Sequence, residues 1–152
     1  MSIESTISQL GIQIPPVPEA LAAYIPSKRS GNLIFTSGQL PLVAGKLQKT
    51  GKLGKEVSLE EGKMEAKQCV LNALASILLH IDSLEKISSI VKLGVYVASS
   101  PNFTEQHLVA NGASEVIASI FGEKGKHARF AIGVSSLPLD ASVELEMIVE
   151  VN

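Results

Sequence analysis

The chain has 152 residues, 45% hydrophobic and 18% charged, which suits one globular domain with its own core and excludes a disordered or fibrous chain. Thirteen basic residues against fifteen acidic ones give a net charge of -2, which disfavours binding to nucleic acid or to an anionic membrane surface. The single cysteine, Cys69, excludes an intrachain disulfide and favours a cytoplasmic setting, and no segment is apolar for long enough to cross a bilayer.

The N-terminal stretch, residues 1–20, is predicted to be an irregular arm. It lacks a basic region followed by an apolar run, so we expect no secretory signal. It contains three prolines that favour extended, non-helical backbone, namely Pro15, Pro16 and Pro18. A single domain is expected to occupy residues 21–152, because no linker, internal repeat or low-complexity segment divides them.

Strands are predicted at the start of this domain. Residues 21–28 are expected to form a first strand, and residues 32–37 (NLIFTS) form a compact β-prone run. Gly38 follows this run and permits the close approach of a ligand to the backbone. Residues 41–56 carry three glycines among lysines, so we expect a mobile excursion that includes one short edge strand.

Two amphipathic helices are predicted next. Ser58 and Glu61 have the spacing of a capping box, in which each side chain satisfies a backbone N–H of the first turn. Asn102 and Glu105 have the same spacing ahead of a second helix, whose C-cap we expect at Gly122. The apolar stripes that recur at helical spacing are Ala66, Val70, Ala73, Ile77 and Ile81 in the first helix and Val109, Ala113, Val116 and Ile120 in the second.

Three strands are predicted in the rest of the chain, at 87–97, 129–135 and 143–151. In each of them apolar residues recur at the two-residue period of a strand. Strands and helices alternate here, so a right-handed β-α-β crossover should join 87–97 to 129–135. The predicted fold class is therefore α+β, with one mixed sheet that two helices cover on one face.

The uncovered face of this sheet is predicted to be a subunit interface. The residue alternation assigns to it Arg129, Ala131, Gly133, Glu144 and Ile148. This mixture is too polar for the core of a monomer, so we expect the face to pack against other subunits.

Arg129 and Glu144 are the main candidates for chemistry. Each lies in an otherwise apolar strand, where a guanidinium offers a planar fork that matches a carboxylate. A glutamate nearby could orient a water molecule or exchange protons. The same pattern fits a structural ion pair at a subunit interface, and the pattern alone favours that interpretation by roughly two to one.

The other reactive side chains give weaker signals. Cys69 lies in the middle of the first long helix, where a small buried hydrophobe is the common case. The three histidines lack the paired spacing of metal ligands, so we expect no metal site. His127 precedes Arg129 and could contact a substrate, although a solvated loop histidine is the more common case. Nucleotide-binding and nucleophilic-serine motifs are absent from the sequence.

Several short motifs follow one another along the chain. They are Ser37-Gly38-Gln39 after a strand, Asn111-x-x-x-Glu115 in the second helix, and the C-terminal series His127-Ala128-Arg129, Leu137-Pro138 and Val143-Glu144-Leu145-Glu146. Together with Tyr24 they resemble the reactive intermediate deaminase (Rid, YjgF-like) family, whose C-terminal signature is P-A-R…L-P…[VI]-E-[IVL]-E. Ala131 and His127 stand where the best-known members of that family have a cysteine and a proline.

The resemblance implies a chorismate-mutase-like α+β fold and a homotrimer with three clefts between neighbouring subunits. It also implies hydrolysis of reactive 2-imino or 2-enamino acids to 2-keto acids and ammonia, with no metal or other cofactor. Arg129 would hold the substrate carboxylate, and Glu144 would orient the attacking water. The other residues of the cleft would be Tyr24, Ser37, Gly38, Asn111 and Ala131.

Two further functions are compatible with this resemblance. The first is a non-catalytic protein that binds small carboxylates, or a regulatory protein, using the same cleft. The second is an endoribonuclease or translation inhibitor, which the 4% aromatic content and the negative net charge make less favourable. We therefore expect a 2-imino or 2-keto acid as partner, neither a nucleic acid nor a membrane, and a cytoplasmic location.

Overall fold

The computed structural model describes residues 1–17, 19 and 23–152. In these residues the α-helices are α1 (Ile3–Gln9), α2 (Leu59–Ile77) and α3 (Gln106–Phe121). The strands are β1 (Ser27–Ser30), β2 (Leu33–Thr36), β3 (Leu42–Val43), β4 (Lys46–Leu47), β5 (Ile87–Ala98), β6 (Ala128–Val134) and β7 (Val143–Val151). Short 3-10 helices occupy Leu84–Lys86, Gly122–Gly125 and Pro138–Asp140.

A mixed sheet with the strand order β1-β2-β7-β5-β6 forms the centre of the described chain. β5 and β6 pair in parallel, and α3 lies between them in the sequence, which confirms the predicted crossover connection. The pairs β1–β2, β2–β7 and β5–β7 are antiparallel. β3 and β4 pair with each other as a separate hairpin, in the segment where the sequence predicts one short edge strand. The fold class is α+β.

The core lies between the sheet and the helix pair α2–α3. The predicted capping box starts α2, because the Ser58 hydroxyl accepts from the Glu61 backbone N–H and the Glu61 carboxylate accepts from the Ser58 N–H. Leu93, Val95 and Val97 of β5 are fully buried beneath the helices, and each such side chain contributes about 1.5–3 kcal/mol. The helix pair α2–α3 therefore covers one face of the sheet within a single chain and leaves the other face uncovered.

The prediction of an irregular N-terminal arm is wrong over Ile3–Gln9, which is helix α1. Ser2 caps this helix by accepting from the Ser5 N–H, and Ile3 and Ile7 enter the hydrophobic core. A short amphipathic helix of this kind has too few turns to give a clear periodic signal. The strand predicted at 21–28 begins later, at Ser27, and its first two residues lie outside the described residues.

Two local predictions for the middle of the chain also need correction. The second capping box is wrong, since α3 has Glu105 at its N-cap and no side-chain cap bond, although Gly122 is its C-cap as predicted. The two-residue period predicted for the strand 87–97 puts Val91 on the same face as Leu93, but Val91 is 37% exposed, while Ile90 is buried. A register shift between Ile90 and Lys92 causes this change of face.

The assignment of Arg129, Ala131 and Gly133 to the uncovered face is wrong. The parallel register pairs Arg129 with Leu93 and Ala131 with Val95, and both partners belong to the helix-covered core. Cross-strand partners share a face of the sheet. Arg129 therefore points towards α3.

The opposite face of β6 carries its larger apolar side chains. Phe130 lies over Gly94, where a Cβ would meet the ring at 2.5 Å, and its ring makes an edge contact with Tyr96 at 5.4 Å between centroids. Glu144 pairs with Tyr96 and thus lies on this open face, as predicted. Apolar side chains were expected to face the core, but β6 is an edge strand whose aromatic residue packs on the other side.

Candidate functional site

The predicted site residues fall into two groups on opposite faces of the sheet. We call Arg129, Asn111, Ser114 and His127 the arginine cluster, which lies between β6 and α3. We call Glu144, Glu146, Tyr96 and Gly38 the carboxylate cluster, which lies on the open face. In the sheet, Arg129 on β6 and Glu144 on β7 lie two strand spacings apart and three residues apart along the strand direction. Their Cα atoms in one chain are therefore roughly 14 Å apart.

Arg129 is held by hydrogen bonds to α3. Its Nη1 donates to Asn111 Oδ1 at 3.0 Å and to Ser114 Oγ at 3.1 Å. Its Nη2 donates to the His107 carbonyl at 3.3 Å. Asn111 and Ser114 are one helical turn apart and therefore present their side chains on the same face of α3. The guanidinium is fixed in orientation by a rigid helix rather than by a loop.

These bonds leave part of the guanidinium available. A guanidinium has five N–H donors, and three are used by Asn111, Ser114 and His107. All three acceptors are neutral, and among the described residues no carboxylate pairs with Arg129 within salt-bridge distance. The unused donors are Nε–H and one hydrogen of Nη2. Among the described residues of one chain, Arg129 is thus a cation without an acidic partner and with two unused donors, and an ion pair with Glu144 could form only between subunits.

His127 is part of the arginine cluster and not a solvated loop residue. Its side chain is half-buried, its Nδ1 lies 2.6 Å from the Gly125 carbonyl, and its Nε2 lies 2.9 Å from Ser114 Oγ. Ser114 is a residue that the sequence reasoning missed. Its three-residue spacing from Asn111 on a helix was the signal that could have found it.

Gly38 and Glu144 are brought together in the carboxylate cluster. A Cβ built on Gly38 would lie 2.5 Å from Glu144 Oε1, so only glycine leaves the carboxylate this close to the backbone. The next residue, Gln39, exchanges two backbone hydrogen bonds with Leu145 at 2.7 and 3.0 Å. This bridge fixes the end of the β2 segment against the start of β7.

The surroundings of Glu144 raise the pKa of its carboxyl group. Burial raises the pKa of Glu144 above its ordinary value, and the neighbouring Glu146 carboxylate raises it further. Tyr96 donates a hydrogen bond to Glu146 Oε1 at 3.2 Å, and burial, followed by Glu146, raises the tyrosine pKa as well. Two acidic side chains at the two-residue spacing of a strand were the signal for Glu146, which the sequence reasoning had not selected.

The remaining predicted residues lie around these two clusters. The Ser37 hydroxyl donates to the Ile25 carbonyl at 2.6 Å, so it anchors the segment next to Tyr24, whose side chain is 63% exposed. Ala131 is half-buried against the core. The structure thus places Ser37, Gly38 and Glu144 in one region and Asn111, Arg129 and Ala131 in another.

Cys69 is a buried structural residue, as the sequence indicates. It is fully buried, and its thiol donates to the Val143 carbonyl at 3.8 Å. Burial raises the pKa of this thiol well above its ordinary value. Since the thiolate is the reactive form, this side chain is unsuited to nucleophilic chemistry.

The described residues contain no group of three or more histidine, cysteine or acidic side chains placed to hold a metal ion. In the same part of the chain, no helix is sufficiently long and apolar to span a membrane. A groove of about 1140 Å³ lies between the segment after α1, the first half of α2 and the β3–β4 hairpin, and none of the predicted site residues lines it.

Comparisons with protein families, curated proteins and solved structures all point to the same family. The family model described as YjgF/chorismate mutase-like, putative endoribonuclease, matches residues 4–151. Protein TCP17 of Trypanosoma cruzi is 40% identical, over 99% of this chain and 94% of its own length. The crystal structure of Atu1372 from Agrobacterium tumefaciens, a protein of unknown function, is 44% identical with a TM-score of 0.92, over 99% of this chain and 93% of that one.

A more distant similarity involves an enzyme. The 2-iminobutanoate/2-iminopropanoate deaminase of Dermatophagoides farinae is 28% identical, over 93% of this chain and 95% of its own length.

Proposed function

The chain belongs to the YjgF/chorismate mutase-like family, and from this premise we propose that it hydrolyses 2-imino or 2-enamino acids to 2-keto acids and ammonia. The observation that carries the proposal is the fixed, uncompensated guanidinium of Arg129. An arginine held by neutral acceptors on three of its five donors keeps a charged edge for an anionic ligand. A more distant relative is named as a deaminase of this class.

The substrate carboxylate would bind to the Nε and Nη2 hydrogens of Arg129, the donors that the protein leaves unused. Two parallel bonds to one carboxylate fix its orientation as well as its position. Asn111 holds the other side of the same guanidinium, and Ala131 lies two residues further along the strand. This arrangement recognises the substrate through its carboxylate.

Glu144 would serve the hydrolytic step. Water adds its oxygen to the imine carbon while Glu144 takes one of its protons, and the carboxyl then returns a proton to the nitrogen. In the resulting carbinolamine, Glu144 takes the hydroxyl proton and passes it to the amino nitrogen. The carbonyl forms as the carbon–nitrogen bond breaks, ammonia leaves, and the 2-keto acid remains. A carboxyl with a raised pKa holds and releases a proton closer to neutral pH than an ordinary glutamate does.

These two roles require a second copy of the chain, because Arg129 and Glu144 of one chain point to opposite faces of the sheet. We propose that the protein is a homotrimer in which the arginine cluster of one subunit faces the carboxylate cluster of its neighbour. Tyr24 and Ser37 would then line the cleft from the carboxylate side. The buried single thiol is compatible with a reducing compartment, so we keep the cytoplasm as the proposed location.

The test is an assay with an imine generated by an amino-acid dehydratase. The wild-type protein should accelerate release of the 2-keto acid, and Arg129→Ala should lower kcat/KM on the order of 100-fold, because a charged bidentate contact is lost. Arg29→Ala is the matched control, since among the described residues the Arg29 guanidinium donates only to the Gly31 carbonyl, in an exposed strand. A wild-type protein that leaves the decay of every such imine unchanged excludes the hydrolase.

A non-catalytic carboxylate-binding protein is the second candidate. The observation that favours it is the position of Glu144, which one chain alone cannot bring to a ligand on Arg129. This alternative predicts calorimetric binding of 2-ketobutyrate that depends on Arg129, without turnover of any imine. Calorimetry and the kinetic assay on the same protein preparation separate the two functions.

A further inference from the structure

A chain of three hydrogen bonds runs from the backbone of one turn to Arg129. His127 Nδ1 lies 2.6 Å from the Gly125 carbonyl, His127 Nε2 lies 2.9 Å from Ser114 Oγ, and Ser114 Oγ lies 3.1 Å from Arg129 Nη1. These bonds involve no water and no charged acceptor. They connect the 3-10 helix Gly122–Gly125 to the guanidinium through two side chains.

The chemistry of the two ends fixes the direction of the two outer bonds. A carbonyl oxygen only accepts, so the histidine proton lies on Nδ1 and is donated to Gly125. A guanidinium only donates, so Ser114 Oγ accepts from Arg129. When the ring carries only the Nδ1 proton, Nε2 is an acceptor, and the serine hydroxyl hydrogen is donated to it. The neutral Nδ1–H form of His127 satisfies the whole chain.

The backbone end of this chain is rigid. A Cβ on Gly125 would lie 3.0 Å from the Ile117 carbonyl and 3.1 Å from the Ile117 side chain, which shows that the turn is packed tightly against α3. The Gly125 carbonyl is therefore a fixed acceptor, and the histidine ring that it holds has a defined orientation. Histidine also stands where the resembling family has a proline, which has no ring nitrogen able to make these bonds.

We infer that His127 is a positioning residue for Arg129, and that it acts through the Ser114 hydroxyl. By directing the serine hydrogen away from the guanidinium, His127 leaves the serine lone pair to hold Nη1. This holds the guanidinium plane so that its Nε and Nη2 edge remains free for a carboxylate. The inference rests on the proposed function in assigning a carboxylate ligand to that edge.

The first test is calorimetric binding of 2-ketobutyrate to the full chain. Ser114→Ala and His127→Ala should each weaken binding roughly fivefold, the usual effect of losing one hydrogen bond that holds the binding group in place. His127→Gln should stay within about twofold of wild type, because its amide oxygen can accept from Ser114 but cannot titrate. The double variant should bind no more weakly than Ser114→Ala, because His127 acts through that hydroxyl.

Ser119→Ala is the matched control for the serine variant. Ser119 lies on the same helix, but its hydroxyl donates to the Glu115 carbonyl at 2.9 Å and not to the cluster. Additive losses in the double variant, or unchanged binding in both single variants, overturn the inference. In either case, binding by the wild type that depends on Arg129 leaves the proposed function intact. Failure of the wild type to bind contradicts carboxylate recognition itself.

A second test needs no ligand. In ¹⁵N NMR spectra of the side-chain guanidinium, rotation about the Cζ–Nη1 bond of Arg129 should be slow in the wild type and in His127→Gln, and faster in His127→Ala and Ser114→Ala. Equal rotation rates in all four proteins contradict the positioning role even if 2-ketobutyrate does not bind. A merely structural loss would instead appear as altered thermal unfolding, measured on the same samples.

Discussion

The arginine cluster and the carboxylate cluster are built on opposite electrostatic plans. In the first, a cation is surrounded by neutral acceptors that fix its orientation. In the second, two acidic side chains lie close together, and among the described residues no cation pairs with either. Neutral hydrogen-bond partners leave the charge of Arg129 available to a ligand. Two neighbouring carboxyl groups instead repel as anions, so that one of the two holds its proton more tightly. The first cluster is suited to binding and the second to proton transfer.

The largest test of this division is Glu144→Gln. Loss of the proton-accepting group should lower kcat for imine hydrolysis by about 100–1000-fold, while the Kd for 2-ketobutyrate should change by less than about threefold, because the amide keeps the shape of the side chain. Steady-state kinetics and calorimetry on one preparation give both numbers. Equal losses in binding and turnover would mean that binding and proton transfer are not separated between the two clusters.

A smaller effect is expected from Gly38→Ala. The new methyl group would lie 2.5 Å from Glu144 Oε1, and the carboxylate, as the end of a flexible side chain, would move away. If Glu144 is the proton acceptor that we propose, its displacement by about 1 Å should lower kcat roughly tenfold or more. The melting temperature should remain nearly unchanged because no backbone atom is displaced. A large drop in melting temperature would instead assign Gly38 a structural role.

The smallest effect is a shift in pH dependence with Glu146→Gln. Glu144 must be ionised to accept a proton, so kcat falls as the pH drops through its raised pKa. Removing the Glu146 charge lowers the pKa of Glu144, so the acid limb of the kcat profile should move to lower pH. The Tyr96 hydrogen bond is retained, because glutamine still offers an oxygen at Oε1. An unmoved acid limb would show that Glu146 does not act on Glu144.

Sequence patterns predict the core of this fold well. The Ser58–Glu61 capping box and the apolar stripe of α2 are local signals, and the structure confirms both. The β5–β6 pairing follows from the alternation of strands and helices. These features depend on residues that are close together in the sequence, so the spacing of apolar and capping residues predicts them directly.

The face of β6 could not be predicted in the same way. Hydrophobicity places Phe130 in the core, but at this edge strand the space beneath α3 is taken by the long side chains of Arg129 and Gln106. Gly133 leaves room for the Gln106 amide, since a Cβ there would lie 2.7 Å from its nitrogen. Which side of an edge strand a helix covers depends on tertiary packing, which residue alternation does not record.

The residues of the candidate site could be selected from the sequence only in part. Arg129, Asn111, Gly38 and Glu144 were selected from motifs along the chain, and the structure sorts them into two groups by face. Ser114 was missed although it lies one helical turn from Asn111, and His127 was assigned to solvent because its hydrogen bonds to a turn and a helix leave no spacing in the sequence. The same is true of the close approach between Gly38 and Glu144, which are more than a hundred residues apart.

The buried thiol of Cys69 makes the rate of its chemical labelling a measure of how often the core opens. The sulfur lies between α2 and β7 with no exposed surface, so a water-soluble thiol reagent can reach it only when the helix layer separates from the sheet. With no other cysteine in the sequence, one labelling rate follows one opening event. Substitutions in either cluster can thereby be sorted into those that loosen the fold and those that alter the surface chemistry alone.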